Sequence, residues 1–247
     1  MTNALENMVG EQYTNHYGET ATIVGYTNNR TVNVEFQDGV VETKRLHHLK
    51  SGKFTSHRSK TVYGVGFSGG REFNKSNSRK ILSIWSMMLG RCYDDKMRIK
   101  NPSYKNCIVS DEWHNYQNYA KWYTSNEFYK VGWEVDKDLR KPGNRIYSED
   151  TCTFVPPEIN SFVPKNNIHR GEYPIGVYWH KSSEKFVSRC SIGKHVEYLG
   201  SFDCQIKAFN IYKLRKESYA KELAKKYKEN IHNEVFFYID GLLSEYR

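Results

Sequence analysis

A short stretch of this chain carries residues that could do chemistry on a phosphodiester. Asp136, Lys137 and Asp138 follow Trp133-Glu134-Val135, and Asn160 lies beyond a turn and a second apolar run. The pattern reads as a strand through Leu139, a turn at Lys141-Pro142-Gly143-Asn144, a strand at Arg145-Ile146-Tyr147, and then a helix. Pro157 opens that helix, with Glu158 in its first turn. A strand, a turn, a strand and a helix can hold one divalent ion between strand and helix. Asp136 at the strand end and Asn160 on the helix fit the two facing positions. Mg²⁺, or Mn²⁺ in its place, takes oxygen ligands and needs only one or two from the protein when water and phosphate complete the shell. Such an ion stabilises the leaving 3′ oxygen while a neighbouring base activates water.

The elements around that stretch suggest an α+β chain of several small domains. Residues 8–56 read as short antiparallel strands. Thr20–Tyr26 is followed by an Asn28-Asn29 turn, Thr31–Phe36 alternates with period two, and Asp38-Gly39 turns into Val40–Thr43. A small β-barrel of the Tudor type is the expected package, with Lys44, Arg45 and the following His47, His48, Lys50 and Lys53 at a cationic end. That end suits phosphate, or discourages strand pairing as a solvated edge; the barrel could also take a protein partner. Residues 57–77 are polar and rich in Gly, Ser and Lys, which reads as a linker. Residues 78–165 hold a helical pattern from Ile81 to Leu89 and a second helix with Trp113, Tyr116, Tyr119, Trp122 and Tyr123 three to four apart, a stripe better suited to core than to base stacking. Residues 170–228 give strands Ile175–His180, Lys185–Ile192 and His195–Leu199 and a helix from about Cys204. The tail, 229–247, is apolar enough at Val235–Leu243 to dock back.

Composition narrows the function class. Lys and Arg number 37 against 28 Asp and Glu, a surplus of +9. That balance suits a polyanion, because each phosphate neutralised releases condensed counterions. No apolar run approaches a membrane span, and the first residues lack a signal peptide's basic start and apolar stretch. Five scattered cysteines without a Cys-x-x-Cys pair argue against a zinc site and for free thiols in a reducing cytoplasm.

Two resemblances sharpen this. Arg91-Cys92-Tyr93, Cys107 through Glu112-Trp113, Asp136-Lys137-Asp138, Thr151-Cys152-Thr153-Phe154 and Glu158-Ile159-Asn160 together resemble the HNH family of phage homing endonucleases. The resemblance implies a ββα-metal module, Asp136 and Asn160 as metal ligands, and Asp136, Lys137, Asp138 and Asn160 as the catalytic set. Lys137 stands where the family has its histidine base. A lysine amine, with an ordinary pKa near 10.4, leaves little free base at neutral pH; Asp138 or a water held by Asp136 could substitute.

Gly176-Val177-Tyr178-Trp179, Lys185-Phe186-Val187-Ser188-Arg189, Tyr198-Leu199-Gly200-Ser201-Phe202 and the helix from Ile206 to Tyr212 resemble the Apetala or ethylene-response-factor DNA-binding domain. That resemblance implies a three-stranded sheet entering the major groove of double-stranded DNA, braced by a helix. Alternation puts residues 178, 180, 187, 189, 191, 196 and 198 on or near one face. Tyr178, His180, Arg189 and Tyr198 are the expected contacts to base or phosphate there, with Lys181, Lys185 and Lys194 reaching phosphate. Tyr178, His180 and Lys181 replace arginines that the family carries on the first strand. The expectation is a metal-dependent DNA endonuclease or nickase, acting in the cytoplasm of a phage-infected bacterium. The alternative is an inactive DNA-binding descendant serving as a regulator or anti-defence factor.

Overall fold

The computed structural model describes residues 6–163 and 172–241. The chain is mixed α+β, and its strands form several small sheets. It divides into two compact units, Met1–Pro102 with Asp111–Ala120, and Ser103–Ser110 with Lys121–Arg247. Among the described residues no helix is long and apolar enough to cross a membrane.

The first unit opens with four antiparallel strands in chain order: β1 (Gln12–Thr14), β2 (Thr20–Asn28), β3 (Thr31–Phe36) and β4 (Val41–Arg45). Period-two alternation decides which side chains turn inward. Ala21 and Ile23 of β2 and Val32, Val34 and Phe36 of β3 bury against Leu49 and Phe54. Asp38-Gly39 makes the β3–β4 turn, with the Val40 N–H donating to the Asp38 carboxylate (3.2 Å). The sheet is open, not the closed barrel expected from its pattern. β1 is three residues long, and just past it the backbone leaves the sheet. The His16 N–H donates to the Gly52 carbonyl (3.3 Å) and the Asn15 amide to the Phe54 carbonyl (2.8 Å). The chain just after helix α1 (Leu46–Lys50) thus supplies the carbonyls that the residues following β1 bond to.

The stretch 57–77 is tied down, contrary to its linker-like composition. Glu42 accepts from the His57 N–H (2.7 Å) and Ser56 Oγ (3.0 Å), and Ser59 Oγ donates to Glu19. The Gln117 amide spans Ser68 and Phe73. The same unit holds α2 (Arg79–Tyr93), α3 (Asp95–Lys100), α4 (Asp111–His114) and the first residues of α5 (Tyr116–Ser125). Trp113, Tyr116 and Tyr119 are buried, as the stripe suggested. The Trp85 indole donates to the Trp113 carbonyl (2.7 Å), and Tyr116 donates to Ser78 Oγ (2.7 Å).

The second unit carries the elements nearest the chemistry. β5 (Ile108–Val109), β6 (Glu134–Asp136), β7 (Ile146–Tyr147) and β8 (Thr153–Val155) form two small pairs. β6 runs antiparallel to β8, and β7 runs parallel to β5. The strand returning to Asp136 is thus Thr153–Val155, which overlaps the Thr151–Phe154 run marked by the family resemblance, and not the Arg145–Tyr147 run suggested by local pattern. Helix α6 (Pro157–Phe162) follows at once. Strands β9 (Val177–His180), β10 (Lys185–Ile192) and β11 (His195–Phe202) make a three-stranded antiparallel sheet with β10 central, backed by α7 (Gln205–Tyr227). These boundaries follow the sequence reading closely. Helix α8 (Asn233–Gly241) docks through Val235 and Ile239 onto Leu223, Ile159 and Val155, so the tail returns to the core as expected; Leu242 and Leu243 lie outside the described residues. Each such fully buried aliphatic contributes about 1.5–3 kcal/mol.

Candidate nucleic-acid interface and metal site

Side chains of the three-stranded sheet sort cleanly by face. Cys190 and Glu197 are cross-strand partners, and Glu197 accepts from Arg215 of α7 (2.7 Å), so this face looks at the helix. The other face carries Tyr178 and His180 of β9, Lys185, Val187, Arg189 and Ser191 of β10, and Val196, Tyr198 and Ser201 of β11. His180, Arg189, Ser191, Val196 and Tyr198 are exposed. None of these strand residues is a carboxylate. The Arg189 guanidinium lies over the Tyr178 ring, 5.1 Å from its centroid. Tyr198 shares a hydrogen bond with Ser201 (2.7 Å), and His180 with Ser183 (2.8 Å). Lys181 and Lys194 sit in the turns at the ends of β10, and Lys185 pairs with the exposed Asp203 (3.3 Å). The residues expected to meet DNA on this domain thus share one face and its rims.

Two glycines permit that arrangement. Gly176 has φ +81°, and a Cβ there would stand 2.1 Å from the Tyr212 ring. Its carbonyl accepts the Arg189 N–H (2.8 Å). Gly200, at φ +127°, adjoins a β-bulge that shifts register between Ser188 and Arg189 and brings Arg189 opposite Tyr198.

Compared with protein-family models, curated proteins and solved structures, the chain matches none.

The strand–helix module brings different residues together. Asp136 closes β6 opposite Thr153, and its Oδ1 accepts the N–H groups of Asp138 (2.7 Å) and Leu139 (2.9 Å). Glu134, two residues earlier and on the same side of the strand, accepts from the Asn160 amide of α6. Sequence reasoning missed Glu134, although its i, i+2 relation to Asp136 was the available signal. Asn160 Oδ1 and Thr153 Oγ1 are buried with no hydrogen-bond partner. Among the described residues no three of His, Cys, Asp and Glu gather into a cation cage. The oxygen donors here suit Mg²⁺ or Mn²⁺ bound through few protein ligands, and the two orphaned oxygens mark where polar company is missing.

Lys137 has another role in this structure. It is buried, its ammonium donates to Asp138 and to the Asn144 carbonyl (2.8 Å), and it lies over the Tyr147 ring. The Asn144 amide answers by donating to the Lys137 carbonyl (2.9 Å). These bonds close the excursion between β6 and β8, and they make Lys137 a brace at the position where the resembled family has its histidine base. Asp138 is exposed but spends an oxygen on that ammonium.

The module is locked to the sheet's helix. Glu158 of α6 accepts from Tyr219 (2.6 Å), Lys226 (2.6 Å) and Tyr227 (2.8 Å) of α7. Burial alone would raise its carboxyl pKa, but these donors, Lys226 foremost, hold it below the ordinary carboxylate range. Lys216 of α7 donates to the Phe162 carbonyl at the end of α6 (2.8 Å), and burial lowers its pKa to about 8.

On the first unit the expected phosphate contacts divide. Lys44 turns to Glu42 (2.7 Å) and the Thr55 carbonyl (2.7 Å), which removes it from the surface set. With the His57 and Ser56 bonds it outweighs burial and holds the Glu42 carboxyl down to about 2. Arg45, His47, His48, Lys50 and Lys53 remain exposed.

Proposed function

We propose that this chain binds double-stranded DNA through the open face of the β9–β10–β11 sheet. The observation that carries the reading is the segregation of charge. That face presents Lys185, Arg189, His180 and two tyrosines with no carboxylate among its strand residues, while the acidic Glu197 is turned to the helix. A major groove about 12 Å wide admits a β-ribbon. Lys181 and Lys194 at the rims suit the flanking phosphates, which set position while groove contacts set sequence. The test is binding of the full chain to labelled duplex DNA over a salt series. Affinity is expected to fall log-linearly, with a slope of roughly −0.9 per phosphate neutralised. Duplex RNA is expected to compete poorly, because its major groove is too narrow to enter. Absence of salt-sensitive duplex binding overturns the proposal.

A second reading, metal-dependent phosphodiester cleavage, is favoured by the unpartnered Asn160 Oδ1 beside Glu134. Asp136 and Asn160 would hold the ion, with Glu134 orienting the amide. Mg²⁺ or Mn²⁺ bound there would supply Lewis-acid stabilisation of the leaving oxygen. This chain's own contribution is orientation: the two backbone N–H groups fix the Asp136 carboxylate, and Lys137 holds the loop behind it. Supercoiled-plasmid nicking that requires Mg²⁺ or Mn²⁺ and is lost in both Asp136→Ala and Asn160→Ala would establish it. DNA binding without nicking would leave a binding protein of nuclease descent, a regulator or anti-defence factor.

A further inference from the structure

We infer that the α1 end of the first unit's sheet, carrying Arg30, Arg45, Lys50 and Lys53, is a second contact surface for duplex DNA, one that takes the phosphate backbone without reading sequence. The inference rests on the duplex-DNA reading above for the identity of the polyanion and brings a different part of the chain to it.

Topology gathers these cations. Arg45 ends β4 opposite Thr31, and Arg30 stands in the β2–β3 turn immediately before Thr31. The Leu46 N–H donates to the Arg30 carbonyl (3.0 Å), which draws α1 to the same end. Gly52, at φ +66°, stops the helix. Its N–H donates to the Leu49 carbonyl (3.0 Å), and the Lys53 N–H turns back to the His48 carbonyl (2.9 Å). Lys53 is thereby held on α1 and not carried away with the chain. The carboxylates of β3 and β4 lie elsewhere. Glu35 and Asp38 stand by the β3–β4 turn, at the opposite end of β3, and Glu42 is engaged by Lys44, Ser56 and His57.

Charge at the α1 end is unspent. Among the described residues no carboxylate pairs with Arg30, Arg45, Lys50 or Lys53, whereas Lys44 and Arg58 are tied to Glu42 (2.7 Å) and Asp38 (3.6 Å). Desolvation first, and then His47, Arg45, Lys53 and Lys44, hold the His48 imidazole below its ordinary value, the mark of cationic surroundings.

Two other uses fit less well. Cations along an outer strand can guard it against pairing. Lys50 and Lys53 lie beyond β4, however, Arg30 lies in a turn, and Lys44 and Glu42 already bond the chain at Thr55–His57. A protein partner would need aromatic or apolar anchors. Every exposed residue from Arg45 to Lys53 is instead a cation, a histidine or a serine. Such a surface suits a polyanion with about one charge per 1.7 Å of axis. Alone, sequence-neutral contacts of this kind reach a Kd of only about 10⁻⁴–10⁻⁶ M at physiological salt. The surface therefore adds to the grip of the β9–β10–β11 face and does not replace it.

The experiment footprints the lysines of the full chain by acetylation and mass spectrometry, with and without a random-sequence duplex. Lys50 and Lys53 are expected to lose about fivefold or more of their reactivity on binding. Lys221 and Lys225 of α7 and Lys228 at its end, all exposed, should keep theirs. In parallel, the triple variant Arg45→Ala, Lys50→Ala, Lys53→Ala is expected to weaken duplex binding about tenfold or more and to lower the salt slope by roughly 0.9 per cation removed. Lys221→Ala, Lys225→Ala, Lys228→Ala removes the same charge and should keep the slope. Melting curves check that both variants fold, and the wild-type footprint decides if one does not. Three results each overturn the inference and leave the sheet reading standing: a duplex that protects Lys181 and Lys194 but not Lys50 and Lys53, an unchanged slope in the folded first variant, or equal protection of Lys50 and Lys53 by polyglutamate at matched charge. Protection of Lys50 and Lys53 without Lys181 and Lys194 overturns the sheet reading instead. No salt-sensitive binding to any duplex overturns both.

Discussion

The open sheet face and the β6–β8–α6 module both carry clustered polar residues, and they spend them differently. On the sheet, Arg189 rests on a ring and His180 on a serine, and both are exposed. In the module, Asp136 and Lys137 brace the loop that follows β6, and Glu134 and Glu158 tie α6 to β6 and to α7. A charged residue that props its own fold is a costly one to recruit for catalysis, since moving it loosens the scaffold. A charged residue restrained only by stacking costs little to recruit for binding.

The contrast can be broken most severely at its frame. Gly176→Ala would drive a Cβ into the Tyr212 ring at a left-handed φ, and is expected to cost about 2–4 kcal/mol and abolish DNA binding. Denaturant titration and gel shift on the same sample check both. Lys137→Met sharpens the contrast from the other side. It should cost about 1–3 kcal/mol through the stranded Asn144 carbonyl and Asp138, yet leave DNA affinity within twofold. A tenfold loss of affinity with unchanged stability would reverse the assignment.

Glu158→Gln is expected to cost about 1 kcal/mol at neutral pH. Because the folded pKa is depressed, the wild type's advantage is complete above the ordinary value of 4.5 and fades as pH falls through the folded pKa. Melting curves of the pair from pH 7 down to pH 3 should converge. The smallest effects belong to the rims. Lys181→Ala and Lys194→Ala should each weaken DNA binding about threefold and lower the salt slope by about 1. Their stability should stay within about 0.5 kcal/mol of wild type.

The sheet was legible in the sequence because its strands alternate and its turn at Gly193-Lys194 is of the ordinary hairpin kind. The module was half legible. Asp136 and Asn160 fell on the strand end and helix as expected, but only the family resemblance marked the returning strand, through Thr151–Phe154, because Thr153, Phe154 and Val155 are all buried and give no period-two signal. Ile146-Tyr147, exposed then buried after a Pro-Gly turn, imitated the returning strand while pairing in parallel with Ile108-Val109. Residues 57–77 misled for a different reason. Composition registers the lack of apolar side chains and not the bonds that Glu42, Glu19 and Gln117 make to the segment. Open rather than closed strand order was equally invisible, since alternation reports which side chains turn inward and not whether the outer strands meet.

Helix α7 has a consequence of phase. Its first turns carry Ala208 and Tyr212 beneath the sheet, and its later turns carry Tyr219, Lys226 and Tyr227 to Glu158. Each residue advances a helix by about 1.5 Å and turns it by about 100°. A single residue inserted between Tyr212 and Tyr219 would swing every Glu158 donor a quarter-turn or more away while sparing the sheet. The stretch is in effect a keyed shaft, tolerant of changes in side chain on its wet side and intolerant of any change in count.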